Sequence, residues 1–260
     1  PQQFQWQNSP DSLANIYCAD SDFAINCGGP RIRASNEIVY DSDTEATGPS
    51  NYFVTSNDEW AVSNVGLFAS PNNLSYTFNT PRQFISLDSE LYQTTRLSSD
   101  SLRYYGLGLQ NGNYNVVLQF SEIQFENGRT WKSLGRRAFD IFIQGNRVER
   151  NFDIRREAGG ESYRPVRKNY TTHVTANYLE IHLFWTGKGT CCIPRQGTYG
   201  PSISAISVTP LFQPRLISST TNSKTTAIVV GIFVPLVVIV LSLGAFWFIQ
   251  RRKRLHAAED

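Results

Sequence analysis

The sequence predicts an all-β jelly-roll β-sandwich followed by one transmembrane α-helix. Three observations carry that prediction. Between residues 114 and 185 apolar side chains recur with a period of two, turn dipeptides punctuate the runs, and residues 227–249 form one uncharged apolar stretch. A period of two marks half-buried antiparallel strands. An apolar helix of that length crosses a hydrocarbon core of roughly 30 Å.

Taken in order, residues 1–17 are polar and irregular and read as a linker from an upstream region. The chain holds no methionine and opens on PQQFQWQNSP, which lacks the basic start and apolar stretch of a signal peptide. It is therefore expected to be a fragment of a longer protein. Residues 18–212 have the composition of one globular domain, large enough for a sizeable core. There "YNVVLQF" puts Tyr114, Val116, Leu118 and Phe120 on one face, with Asn115 and Gln119 opposite. "AFDIFIQG" groups Phe139, Ile141 and Ile143 against Asp140 and Gln144, and "YLEIHLFW" groups Leu179, Ile181, Leu183 and Trp185 against Glu180 and His182. Asn111-Gly112 and Gly145-Asn146 are expected to be hairpin turns. Only Ser98–Leu102 reads as a short helical turn, and no internal repeat is visible.

Residues 213–226 (QPRLISSTTNSKTT) form a Ser/Thr-rich stalk, too polar to pack. In the span that follows, Pro235 is tolerable and Trp247 lies near one end, where interfacial aromatics belong. Arg251, Arg252, Lys253 and Arg254 come directly after it. The positive-inside rule places the basic segment 250–260 in the cytosol and the N-terminal part outside. The expected location is the plasma membrane, crossed once.

Outside the cell cysteines are usually paired. Cys18, Cys27, Cys191 and Cys192 allow three connectivities. The expectation is a bridge from Cys191 or Cys192, in "TGKGTCCIP", to Cys18 or Cys27. Closing so long a loop is worth about 4–5 kcal/mol in the chain-entropy picture. The alternative is a vicinal Cys191–Cys192 ring. Two glycosylation sequons, Asn73-Leu74-Ser75 and Asn169-Tyr170-Thr171, agree with an extracellular domain.

Catalytic patterns are scarce. The three histidines are His173, His182 and His256, and there is no G-x-S-x-G, H-E-x-x-H or Walker-type loop. Glu122, Glu126, Asp140 and Asp153 are the candidates for paired carboxyl groups. Such pairs can be found in almost any sequence, and Glu122 reads as support for a strand end. No ligand cluster suggests a metal or cofactor. A net charge of +2, with no basic cluster inside the domain, argues against nucleic acid. The chain is expected not to be an enzyme. Sugar recognition asks for aromatic faces with a few amide or carboxylate groups, and Tyr40, Tyr92, Tyr104, Tyr105, Phe125 and Tyr199 sit at strand ends or in loops.

Long blocks, in order, then resemble a known family. "DFAINCGGP", "LYQTTRLSSDSLRYYGLGLQNGNYNVVLQFSEIQF", "LGRRAFDIFIQG" and "LEIHLFWTGKGTCCIPRQGTYGPSISAISVTP" look like the malectin domain of plant leucine-rich-repeat receptor-like serine/threonine kinases. The resemblance implies leucine-rich repeats before residue 1 and a kinase after residue 260. The animal lectin of this family binds glucose-containing disaccharides through four aromatics and one aspartate. By motif, two of those tyrosines match Tyr40 and Tyr92, and the phenylalanine matches Phe125. A third tyrosine is replaced by Gln124, and the aspartate falls near Tyr199, where no carboxylate exists.

Two readings follow. In the first, the domain is the extracellular ligand-recognition module of a receptor kinase and binds cell-wall-type carbohydrate or glycan. Tyr40, Tyr92 and Phe125 would then stack on sugar, and Gln124 would hydrogen-bond hydroxyls. In the second, the sugar cleft is vestigial and the module binds a co-receptor or a secreted peptide. The missing aspartate favours the second.

Overall fold

In the computed structural model, residues 22–69 and 75–214 are described. Their fifteen strands are β1 (Phe23–Cys27), β2 (Ile32–Arg33), β3 (Val39–Asp43), β4 (Ser50–Val54), β5 (Trp60–Val65), β6 (Thr77–Asn79), β7 (Thr94–Leu97), β8 (Ser101–Leu107), β9 (Gly112–Phe120), β10 (Phe139–Ile143), β11 (Asn146–Phe152), β12 (Val166–Val174), β13 (Tyr178–Phe184), β14 (Ser202–Ile203) and β15 (Ala205–Pro210). Sheet one runs β12-β9-β15-β1-β3-β2, and sheet two runs β11-β10-β13-β8-β5-β4. A small third sheet holds β14-β7-β6. Pairing is antiparallel except between β1 and β3.

The expected alternation builds the core between the two large sheets. Val116, Leu118 and Phe120 of β9 meet Phe139, Ile141 and Leu183 of β10 and β13, all without exposed surface. Phe120, Phe139 and Phe152 close an aromatic triangle with centroids 4.8–6.2 Å apart, which adds to their area burial. The other face of sheet one carries a second, smaller core. Ala24 and Ala205 alternate with residues of the main core and pack instead with Tyr40, Phe84, Leu91 and Tyr92.

Four local expectations are corrected. Asn111-Gly112 is no hairpin turn, because β8 belongs to sheet two and β9 to sheet one, so this connection crosses the sandwich. In the β10–β11 hairpin Ile143 pairs with Asn146, so the turn is Gln144-Gly145, one residue earlier than expected. Both have left-handed φ, 50° and 73°, as a tight two-residue hairpin requires. Ser98–Leu102 is not helical; Ser101 already starts β8, and among the described residues the helical turns are 3-10 at Ser89–Tyr92 and Trp131–Leu134, with one short α-helix, α1, at Ile154–Glu157. Asp140 does not face water. Between β10 and β11 the register shifts around Asn151, whose φ is 52°. Asp140 accepts the Asn151 backbone N–H at 2.7 Å and is buried beneath this bulge.

The expected linker 1–17, Cys18, Asn73, most of the stalk, the span 227–249 and the basic segment 250–260 lie outside the described residues. Among the described residues no helix is long and apolar enough to cross a membrane.

Candidate functional site

Tyr40 and Tyr92 are brought together, but not as exposed platforms. Tyr92 Oη donates to Gln119 Oε1 at 2.7 Å, and Gln119 Nε2 donates to Tyr40 Oη at 2.9 Å. Their rings lie in the smaller core, only 3% and 5% exposed. Phe84 packs on Tyr92 with centroids 6.0 Å apart in the same cluster. Burial pushes both phenols up, Tyr92 to about 12. Phe125 is wholly buried beneath Gly135, where an added Cβ would come within 2.7 Å of its ring. The expectation that these three rings offer stacking faces is thus corrected. Phe84 packs over Tyr92 and Gly135 over Phe125.

Gln124 is different. It is half-buried and borders a cleft of about 100 Å³ shared with Phe78, Glu126, Lys132, Pro194, Arg195 and Thr198. Behind it lies Arg137, 2% exposed. Arg137 Nε donates to Glu122 Oε2 at 2.8 Å, Nη1 to the carbonyls of Tyr199 and Gly200 at 3.1 and 2.9 Å, and Nη2 to Gln124 Oε1 at 2.6 Å. Arginine can only donate, so the carboxamide must turn its oxygen inward. Its amide nitrogen donates to no group among the described residues. Glu126 and Lys132, about half-exposed, form a loose pair at 3.7 Å across the same cleft. Amide, carboxylate, ammonium, guanidinium and hydroxyl groups thus line one small space with Phe78 and Pro194 as apolar walls. Such a set suits a ligand whose hydroxyls both donate and accept.

No motif in the sequence foretells that Arg137, Lys132 and Arg195 join Gln124. Glu126 appears there as a cleft carboxylate, although the sequence neighbours of Tyr199 include none. Glu122 is fully committed to Arg137 and to the Gln124 backbone N–H.

The disulfide expectation is corrected too. Cys191 and Cys192 are bonded to each other in an exposed loop. Cys27 is a free thiol with no exposed surface, inside the main core. Burial, then the nearby Asp43 charge, raises its pKa well above the ordinary value. Its inward direction on β1 leaves the loop cysteines no partner there. Asn169 lies exposed on β12.

One pairing escaped the sequence reading. Ser101 Oγ and His182 Nε2 lie 2.9 Å apart on neighbouring strands β8 and β13. Burial, then Arg103, lowers the imidazole pKa to about 4, too weak a base for neutral pH. The adjacent carboxylate, Glu180, pairs with Arg103 instead. Among the described residues no group of three or more His, Cys, Asp or Glu is placed to hold a metal ion.

Against known proteins, the malectin-domain family profile matches residues 21–206. Two probable leucine-rich-repeat receptor-like serine/threonine-protein kinases of Arabidopsis thaliana are 48% and 47% identical over 245 residues. Each alignment covers 92% of this chain and 24% of the relative, so the chain spans about a quarter of the length of these curated relatives. Among solved structures, the ANXUR1 extracellular domain of Arabidopsis thaliana aligns with TM-score 0.46 and 18% identity, covering 72% of this chain and 47% of that one. A β-glucuronidase of Bacteroides uniformis aligns with TM-score 0.49 and 18% identity, covering 74% and 18%.

Proposed function

This chain belongs to the malectin-domain family, and on that premise we propose that it is the extracellular ligand-recognition module of a single-pass plant receptor-like kinase. It sits at the plasma membrane, binds cell-wall-type carbohydrate or glycan in the Gln124 cleft, and passes the signal to a cytoplasmic serine/threonine kinase. The chain itself is non-catalytic. The observation that carries the reading is the Gln124 carboxamide, whose oxygen is held by buried Arg137 while its N–H groups remain unused beside Glu126 and Thr198. A fixed donor beside a carboxylate is what recognition of paired hydroxyls needs, because a polar group held in place loses little entropy on binding.

The test is to secrete residues 1–224 and titrate an oligosaccharide panel that includes cellulose- and glucan-derived fragments. Binding that is lost in Gln124→Ala and Glu126→Ala supports the reading. No binding at millimolar sugar, or binding indifferent to both changes, refutes it.

A second reading draws support from the burial of Tyr40, Tyr92 and Phe125, which leaves no sugar-stacking ring among the residues matched to the animal lectin. Trp131 and Leu134, 59% and 68% exposed, flank the cleft residue Lys132 on one 3-10 turn. In this reading the same region takes a co-receptor or secreted peptide. Loss of partner capture in Trp131→Ala, with no sugar bound, would select it.

A further inference from the structure

β12 is the outermost strand of sheet one. It pairs with β9 over nine residue pairs, from Val166 opposite Phe120 to Val174 opposite Gly112. Its other edge is paired with no strand among the described residues. A long open edge invites pairing with another chain, and natural sheets blunt it with charge, proline or cover. On β12 the charges are confined to one end, at Arg167 and Lys168. The remaining residues, Asn169 to Val174, read NYTTHV, with no lysine, arginine, aspartate or glutamate, no proline and no glycine. An uncharged six-residue run of β-favouring residues is the pattern of segments that self-associate. In an antiparallel pair of two β12 strands centred on Tyr170, Arg167 faces His173 of the second copy, so the existing charges do not oppose it.

The sequon lies within this bare run. Even-numbered residues such as Tyr170 lean toward the core, whereas Asn169, Thr171 and His173 are exposed. Neither Asn169 nor Thr171 makes a side-chain hydrogen bond among the described residues. We infer that Asn169 carries an N-linked glycan whose structural task is to keep the open edge of β12 from pairing with β12 of a second copy. The transfer joins sugar C1 to Asn169 Nδ2 and breaks the C1–oxygen bond to the lipid pyrophosphate donor. One amide proton leaves with the lipid pyrophosphate. This inference rests only on the chain's passage through the secretory route, not on any ligand.

Three substitutions at exposed Thr171 separate glycan from edge. The whole chain, behind a secretory signal peptide, is expressed in plant cells in two differently tagged forms. Thr171→Ser keeps the sequon, and a tryptic glycopeptide should carry the glycan on Asn169. Thr171→Ala abolishes glycosylation, and co-precipitation of the two tagged forms should rise severalfold over Thr171→Ser. Thr171→Lys also abolishes it but places a charge inside the bare run, so co-precipitation should return to the Thr171→Ser level. An unmodified Asn169 in Thr171→Ser, no rise in Thr171→Ala, or an equal rise in Thr171→Lys each overturns the inference.

Discussion

The guanidinium of Arg137 decides which way round the Gln124 carboxamide sits: Nη2 donates to Oε1 at 2.6 Å while Nε holds Glu122 at 2.8 Å. A wholly internal cation therefore orients a group at the surface. Arg137 itself has nearly no exposed area, so a ligand in the cleft senses it only through the amide.

Gln124→Glu tests that division of labour. The carboxylate still accepts from Arg137, so the melting temperature should hold or rise, but the two N–H donors are gone. Sugar affinity should fall about tenfold, the loss of one net hydrogen bond of about 1–1.5 kcal/mol. Isothermal titration with a cello-oligosaccharide that the parent binds, run beside a thermal melt, checks both halves. Equal affinity would mean that the amide nitrogen is idle.

Arg96→Met should be among the most damaging single changes. Arg96 and Asp43 have no exposed side-chain area and share two bonds of 2.6 Å. Removing the cation strands a buried carboxylate, which costs roughly 3–5 kcal/mol. Urea denaturation measures the loss; a shift under 1 kcal/mol would show that water or another donor replaces the guanidinium.

Acid should weaken the fold partly through His182. Its folded-state pKa, about 4, lies below the ordinary 6.5, because burial and Arg103 resist its charging. The stabilisation is complete above pH 6.5 and is lost as pH falls toward 4, where the unfolded chain takes up the proton first. Melting temperature followed from pH 7 to 4 should decline less steeply in His182→Gln. Parallel curves would assign the decline to other groups.

Reduction should hardly change stability. The bond between Cys191 and Cys192 joins adjacent residues and so removes almost no freedom from the unfolded chain. A dithiol should expose two thiols to maleimide in the native protein and move the melting temperature by no more than about 2 °C, a small fraction of what a long-range bridge supplies. Cys27 should react only after unfolding, since it is buried and its thiolate is disfavoured. Native labelling of Cys27 would contradict this burial.

What the sequence revealed was local. The alternation of residues 114–120, 139–143 and 179–183 is written in neighbouring residues, and those strands form as expected. That Asn111-Gly112 passes between sheets is not local, because a turn dipeptide looks the same whichever sheet receives the next strand. Tyr40 and Tyr92 were recognisable as a pair, yet their burial depends on Phe84 and on Gln119, distant along the chain. Arg137 reads as one more surface arginine until the fold brings Glu122 and the carbonyls of residues 199 and 200 around it. Compartment chemistry pointed to oxidised cysteines but held no information on which pairs come within reach.

Asp43 belongs to sheet one, Tyr104 to sheet two and Arg96 to the small third sheet, and one carboxylate joins all three. Slow breathing motions should therefore not peel these layers apart one at a time. Opening any of them severs the same junction, so the backbone amides of β3, β7 and β8 should exchange with deuterium together, near the rate of global unfolding. The 191–196 loop is held by a single lighter side-chain tie among the described residues, Gln196 Nε2 to the Ala69 carbonyl at 3.2 Å, and should exchange on far shorter timescales. The domain thus pairs a frame that opens only as a whole with a cleft margin free to adjust to what it meets.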